Sequence, residues 1–243
     1  MKTINYEDLK FINNEKYNSG SYGIIKKCTL NDKEYVCKYF SDNSYLKGKK
    51  RKISLLSEID KKGLYVPRFW VKKDNNKNMY LSEFCNGKDI AFLSDESYET
   101  KLKNLKNIKE LILEMHGKGI IHSDLSSSNI LYSNNNIGII DFDNSNYRGF
   151  KTNIYHTNDY CMDFIKTYGI KPELDIFMFN LLTYSIMNDD TNYHMIRNNI
   201  WLNNYGIFNN PSGIKICKSL FLDDDFPNKD FLIDTIDETN LSL

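Results

Sequence analysis

The stretch from Ile120 to Asp143 constrains this chain most. It reads I-I-H-S-D-L-S-S-S-N-I-L-Y-S-N-N-N-I-G-I-I-D-F-D. Asp124 and Asn129 stand five residues apart on one polar loop, and Asp141 ends an apolar, strand-like run. An aspartate on a loop can accept a proton from an attacking hydroxyl. An asparagine and a second aspartate can offer hard oxygen ligands to magnesium. A chain that uses these side chains together must fold so that the loop and the strand end converge, and the chemistry they suit is phosphoryl transfer.

The residues before this stretch read as a β-rich segment. Tyr22 to Leu30 and Glu34 to Phe40 are strand-like around the turn signal Asn31-Asp32. Lys50 to Lys61 carries Ile53, Leu55, Leu56 and Ile59 at helical spacing, with Gly63 as a stop. Val66 to Lys73 and Asn78 to Phe84 read as two further strands around a polar turn at Asp74 to Asn76. Gly87 marks a boundary, which predicts a β-rich unit over 1–86 and a helical unit over 87–243. In the second, Leu102, Leu105, Ile108, Leu111, Ile112 and Met115 form one apolar stripe, closed by Gly117 and Gly119. Leu174 to Met187 is apolar almost all round and predicts a buried helix. Trp201, Tyr205, Phe208 and Ile214 to Leu222 predict short closing helices.

Lys+Arg and Asp+Glu both number 32, and this balance argues against a dedicated nucleic-acid partner. The basic run Lys47, Lys49, Lys50, Arg51 and Lys52 reads as a solvated loop and helix start. Cys28, Cys37, Cys85, Cys161 and Cys217 form no C-x-x-C pair and read as buried thiols in a reducing compartment. Residues 1–10 lack the apolar core of a signal peptide, and no apolar run reaches the length of a membrane span. A cytoplasmic location without membrane association is the expectation.

Taken together, the motifs resemble the protein-kinase-like superfamily, whose catalytic and metal loops read H-R-D-x-x-x-x-N and D-F-G. N-S-G-S-Y-G-I-I, Asn18 to Ile25, resembles its glycine-rich loop, with Gly20, Tyr22 and Gly23 on family positions and Asn18 in place of the first glycine. As residues alone, the same segment also reads as an ordinary hairpin. Val36-Cys37-Lys38 resembles V-A-I-K. Lys38 would then contact the α- and β-phosphates and pair with a helix glutamate, for which Glu58 is the candidate. Tyr80 to Asp89 resembles the last strand and hinge of the nucleotide-binding lobe. By that alignment Ser82 is the gatekeeper, and Glu83 and Cys85 present backbone groups to adenine. Asp89 meets ribose, while Ile25, Val36 and Leu131 sandwich the base. His116 and His122 fall on positions that brace loops, and D-I-F-M-F-N from Asp175 resembles D-x-W-x-x-G, whose aspartate ties down the catalytic loop.

The resemblance implies an α+β, bilobal protein-kinase-like fold with a β-rich N-lobe, a reduced helical C-lobe and a nucleotide cleft. It implies transfer of the γ-phosphate of ATP, with Mg2+, to a serine or threonine hydroxyl on a protein substrate. Asp124 would act on the acceptor hydroxyl, Lys38 and Glu58 on phosphate charge, and Asn129 and Asp141 on the metal. Three departures bear on regulation and acceptor, the first arguing against switching by an activation-loop phosphate and the other two favouring a small-molecule acceptor. Ser123 replaces the arginine that pairs with a phosphorylated activation loop, and Ser126 replaces a lysine near the transferred phosphate, as in RIO-type kinases. Asp143 gives D-F-D, frequent in aminoglycoside phosphotransferases, and adds a carboxylate near the metal position. Tyr160 to Asp163 is the nearest match to A-P-E. A kinase acting on a small-molecule acceptor and a nucleotide-binding pseudokinase scaffold are the alternative readings.

Overall fold

The structure is a computed structural model and describes residues 1–12, 18–20, 23–40, 46, 48–73, 76–133, 136–149 and 169–187. The chain divides into two compact units. One comprises residues 1–86 with 138–143, and the other residues 87–137 with 144–243. The segment 138–143, which holds Asp141 and Asp143, therefore groups with the first unit.

The first unit is built on strands β1 (Lys2–Asn5), β2 (Lys10–Phe11), β3 (Asn18–Gly20), β4 (Gly23–Leu30), β5 (Lys33–Tyr39), β6 (Pro67–Lys73) and β7 (Asn76–Glu83). They form one sheet in the order β1-β6-β7-β5-β4-β2, with β3 also on β4. Asn31 and Asp32 take φ values of 50° and 60°, and Leu30 pairs with Lys33 across them. Positive φ at both central residues twists a two-residue turn to match its flanking strands, so the β4–β5 register is fixed locally. Sequence reading missed β1, which adds to β6 in parallel with Lys2 opposite Phe69.

Alternation along the strands sorts the core onto two faces. On one face Cys28, Tyr35, Cys37, Val71, Met79 and Leu81 pack with Leu9 under Ile4, Tyr6 and Phe11 of the N-terminal segment. On the other, Phe40, Trp70 and Tyr80 pack with Leu46 and with Ile53 of helix α1 (Lys50–Leu56). Trp70 Nε1 donates to Ser54 Oγ at 2.9 Å and pins the helix to β6. Each large apolar side chain buried this way contributes about 1.5–3 kcal/mol.

Helix α1 ends at Leu56 and does not reach Lys61 as its apolar spacing predicts. Glu58 N and Ile59 N instead donate to Leu55 O and Leu56 O, three residues back, in tighter turns. Arg68 Nη1 donates to the carbonyls of Ser57 and Ile59 at 3.2 and 2.7 Å. Those carbonyls are satisfied from β6, so nothing is lost when the helix stops.

The second unit contains β8 (Lys88–Asp89), helix α2 (Tyr98–Gly117), β9 (Ile120–Ile121), β10 (Ile130–Ser133), β12 (Asn146–Tyr147) and helix α3 (Pro172–Met187), while β11 (Asn136–Ile139) carries the chain across to Gly138. Ser97 Oγ caps α2 by accepting from Thr100 N, and Leu105, Ile108, Leu111, Ile112 and Met115 form its buried stripe. Leu102 lies at the margin of that stripe, half-buried. Helix α3 starts at Pro172, where the missing N–H is harmless. Leu174, Met178, Phe179, Leu182 and Ile186 on it are buried, as its sequence predicts. Among the described residues no helix is long and apolar enough to cross a membrane. Tyr22, Tyr160 to Asp163, His156, His194, Cys161, Cys217 and every closing helix expected after Met187 lie outside the described residues.

Candidate active site

Strand register places Lys38. It lies opposite Ile25 on β4 and opposite Tyr80 on β7, while Val36 lies opposite Ser82. These five side chains therefore share one face of the sheet, opposite to Cys37. Lys38 is 8% exposed. Its ammonium donates to Asp141 Oδ1 and Oδ2 at 2.7 and 2.9 Å, and Asp143 Oδ2 lies 2.5 Å away. Burial alone would depress the lysine. The charges of Asp141 and Asp143, with hydrogen bonds to both, outweigh it and hold Lys38 above the ordinary lysine range.

Asp141 has φ of 61°, a left-handed conformation that a non-glycine residue rarely adopts. Such backbone persists only where its surroundings over-determine it, and here the Lys38 pair does so. Asp143 lies in the short turn Phe142–Asn144 and is 1% exposed. Tyr80 Oη donates to Asp143 Oδ1 at 2.5 Å, and Lys52 Nζ donates to Asp143 O at 2.7 Å.

Two sequence expectations are corrected here. Glu58 lies in the exposed turn after α1, and the structure does not bring it to Lys38. The carboxylates at Lys38 come from the D-F-D segment instead, because α1 ends before it could carry Glu58 inward. The basic run is not wholly solvated either: Lys49 and Lys52 are buried, at 6% and 1% exposure. Burial, then the charge of Lys49, lowers Lys52 to about 7, with Asp143 and Asp141 opposing the shift. Period-3.6 spacing from Ile53 and Leu56 puts Lys52 and Lys49 beside the apolar face of α1, a signal that charge alone obscured. The contribution of Asp143 to Lys38 was also missed; its only signal was the third letter of D-F-D.

The glycine-rich segment forms a hairpin, with Gly20 opposite Gly23 and Asn18 opposite Ile25. A Cβ on Gly23 would overlap the carbonyl oxygen of Tyr39. Close strand approach thus requires this glycine before any ligand is considered. At the end of β7, Glu83 pairs with Lys33 at 2.7 Å, Phe84 N donates to Glu34 O, and Cys85 is buried. Gly138 lets β11 pass Cys85, since a Cβ there would overlap the Cys85 sulfur and crowd the Tyr65 ring.

In the second unit, Asp175 at the start of α3 organises the polar loop. Its Oδ2 accepts from His122 N at 2.8 Å and lies 2.9 Å from His116 Nε2; its Oδ1 accepts from Ser123 N at 2.8 Å. Ser123, with φ of 65°, turns the chain so that Asp124 follows. Asn129 Nδ2 donates to Asp124 O at 2.8 Å, and Asn144 Nδ2 lies 3.3 Å from Asp124 Oδ2. Leu131 lies opposite Asp89. Asp89 Oδ1 accepts from Ala91 N and caps the turn Ile90–Asp95. Burial raises the Asp89 carboxyl, and hydrogen bonds from Ala91 and Ser127 oppose that shift.

Magnesium takes hard oxygen donors. In the first unit Asp141 carries a carboxylate; in the second Asn129, its amide nitrogen committed to Asp124 O, has its carbonyl oxygen to offer. Each donor by itself is of the kind magnesium takes. Among the described residues, no group of three or more His, Cys, Asp or Glu side chains forms a metal cage.

A sheet unit with a lysine–aspartate pair, and a helical unit whose aspartate-braced loop carries D-x-x-x-x-N, define a kinase-like protein. The model of the protein kinase domain matches residues 11–220, and this chain belongs to that family. It is similar to a protein of Acanthamoeba polyphaga mimivirus named as a serine/threonine-protein kinase, 33% identical over 59% of this chain and 24% of that protein. One such named protein of Dictyostelium discoideum is 26% identical over 78% of this chain and 34% of that protein. Calcium-dependent protein kinase 5 of Plasmodium falciparum is 26% identical over 72% of this chain and 32% of that protein. The matched part of the chain thus spans about a quarter to a third of these relatives.

Proposed function

We propose that this chain transfers the γ-phosphate of ATP, with Mg2+, to a serine or threonine hydroxyl on a protein. The observation that carries this reading is the Lys38–Asp141 ion pair, which joins the strand lysine to the strand-end aspartate. Family membership and the names of the relatives support the reaction class and the protein acceptor. Bound magnesium would neutralise phosphate charge as the leaving oxygen departs.

Asp124 orients the acceptor hydroxyl and takes its proton. Its loop is held by Asp175 through the His122 and Ser123 amides, and by Asn129 on the Asp124 carbonyl. That bracing limits the reorganisation required at the moment of transfer. Lys38 balances phosphate charge, and Asn129 and Asp141 hold the metal. Gly20, Tyr22 and Gly23 cover the phosphates. Ile25, Val36 and Leu131 contact the base, the backbones of Glu83 and Cys85 meet adenine, and Asp89 meets ribose. The free thiols of Cys28, Cys37 and Cys85 suit a reducing cytoplasm.

Purified protein incubated with labelled ATP and magnesium, beside Asp124→Asn, tests the proposal. Labelled protein is expected from the natural sequence, with a loss of about 10²- to 10⁴-fold in the variant. Equal labelling by both would refute the role of Asp124. Label confined to a low-mass product would indicate a small-molecule acceptor, and nucleotide-dependent stabilisation without turnover a pseudokinase.

A further inference from the structure

The geometry points to Asp143 as the positioning residue for Lys38, in the role the family pattern gives to a helix glutamate. This rests on the phosphotransferase reading and adds to it a role for the residue that departs from the family's D-F-G.

Three contacts carry the inference. Asp143 Oδ2 is 2.5 Å from Lys38 Nζ, and Asp143 Oδ1 accepts from Tyr80 Oη at 2.5 Å. Asp143 O accepts from Lys52 Nζ at 2.7 Å. The side chain is therefore held at both oxygens, and its backbone is held from α1. Tyr80 stands opposite Lys38 in the β5–β7 register, so one rigid pair of strands sets the position of the cation and of the hydroxyl that orients its carboxylate. Asp143 is 1% exposed, where a carboxylate is retained only with such partners.

The helix side tells the same story with the sign reversed. The α1 side chain that reaches this segment is the lysine Lys52, while Glu58 lies beyond the helix end. A family-like helix glutamate at Lys52 would face the Asp143 carbonyl oxygen and add negative charge beside that residue's carboxylate. Aspartate after D-F and lysine on the helix are thus complementary, and together they move the anchoring charge from helix to loop. Asp141 is then not the sole partner of Lys38. Were Asp141 to hold a metal, Asp143 would remain to fix the lysine beside it.

The test compares the natural protein with Asp143→Asn, Asp143→Gly and the double variant Lys52→Glu/Asp143→Gly, each checked for cooperative thermal unfolding. Nucleotide affinity is measured by calorimetry with ATP and magnesium, and turnover is measured separately. Lys38 acylation is followed by peptide mass spectrometry on nucleotide-free protein. Asp143→Asn should raise KM for ATP about tenfold, with a smaller fall in kcat, and should expose Lys38 to faster acylation. Asp143→Gly should do the same, and adding Lys52→Glu should recover at least half of the lost affinity, which a merely structural role would not allow. Unchanged KM and unchanged Lys38 acylation in folded Asp143→Asn would overturn the proposal, as would a folded double variant with no recovery. Should Asp143→Gly fail to fold, the isosteric Asp143→Asn still decides. A natural protein that binds no nucleotide would defeat the phosphotransferase reading, whereas Lys38 acylation would still show whether Asp143 holds the lysine.

Discussion

Lys38 and Asp141 are 103 residues apart in sequence, yet the ammonium of one donates to both carboxylate oxygens of the other, at 2.7 and 2.9 Å. With Asp143 at 2.5 Å, two acidic groups meet at one buried ammonium.

Replacing that cation should therefore harm the fold as well as the reaction. Lys38→Met leaves Asp143 buried and without its ion partner, which costs about 3–5 kcal/mol. Denaturant unfolding should show that loss, and phosphate transfer should fall below detection. Lys38→Arg should unfold closer to the natural protein, because it keeps the charge.

Lys52 should make stability depend on pH. Its folded pKa, about 7, lies below its unfolded value. Between these two values the unfolded chain binds the extra proton, so stability rises as pH rises through that window. Lys52→Met should remove this slope and raise stability near pH 7. Unfolding midpoints across the window would check it, and a slope that persists in the variant would contradict it.

Asp175→Asn should loosen the loop that carries Asp124. One amide oxygen replaces two carboxylate oxygens that serve His122 N, Ser123 N and the His116 ring. A buried donor left unsatisfied costs about 1–3 kcal/mol. Faster amide exchange at His122 and Ser123, together with reduced turnover, is the expected result.

Gly23→Ala should destabilise the first unit whether or not nucleotide is present. The added methyl meets the backbone of Tyr39, which cannot rotate away as a side chain can. A loss of about 1–3 kcal/mol is expected, measured by thermal unfolding of the nucleotide-free protein. A variant that unfolds normally but binds ATP poorly would show that Gly23 serves the ligand instead.

Much of the fold was legible because it follows from short-range chemistry. Strand alternation around Asn31-Asp32, the apolar stripe from Leu105 to Met115 and the buried run from Leu174 each declare their element within a few residues. The end of α1 was not legible. Its apolar spacing continues to Ile59, but Arg68 on a later strand binds the carbonyls that would have extended it. The parallel addition of β1 to β6 was hidden for the same reason, since two short runs carry no mark of their mutual register.

The candidate site divides along the same line. Residue order was enough to single out Asp124, Asn129 and Asp141, because a loop acid, an amide five residues on and an acid ending an apolar strand form a local pattern of types and spacing. For Lys38, residue order pointed to one partner, the helix glutamate Glu58, and gave the extra D-F-D carboxylate only a place near the metal. Packing decided otherwise. It buried Lys52, left Glu58 in water and brought Asp143 under Tyr80. An ion pair depends on distance and desolvation, and for groups a hundred residues apart both are properties of the folded chain alone.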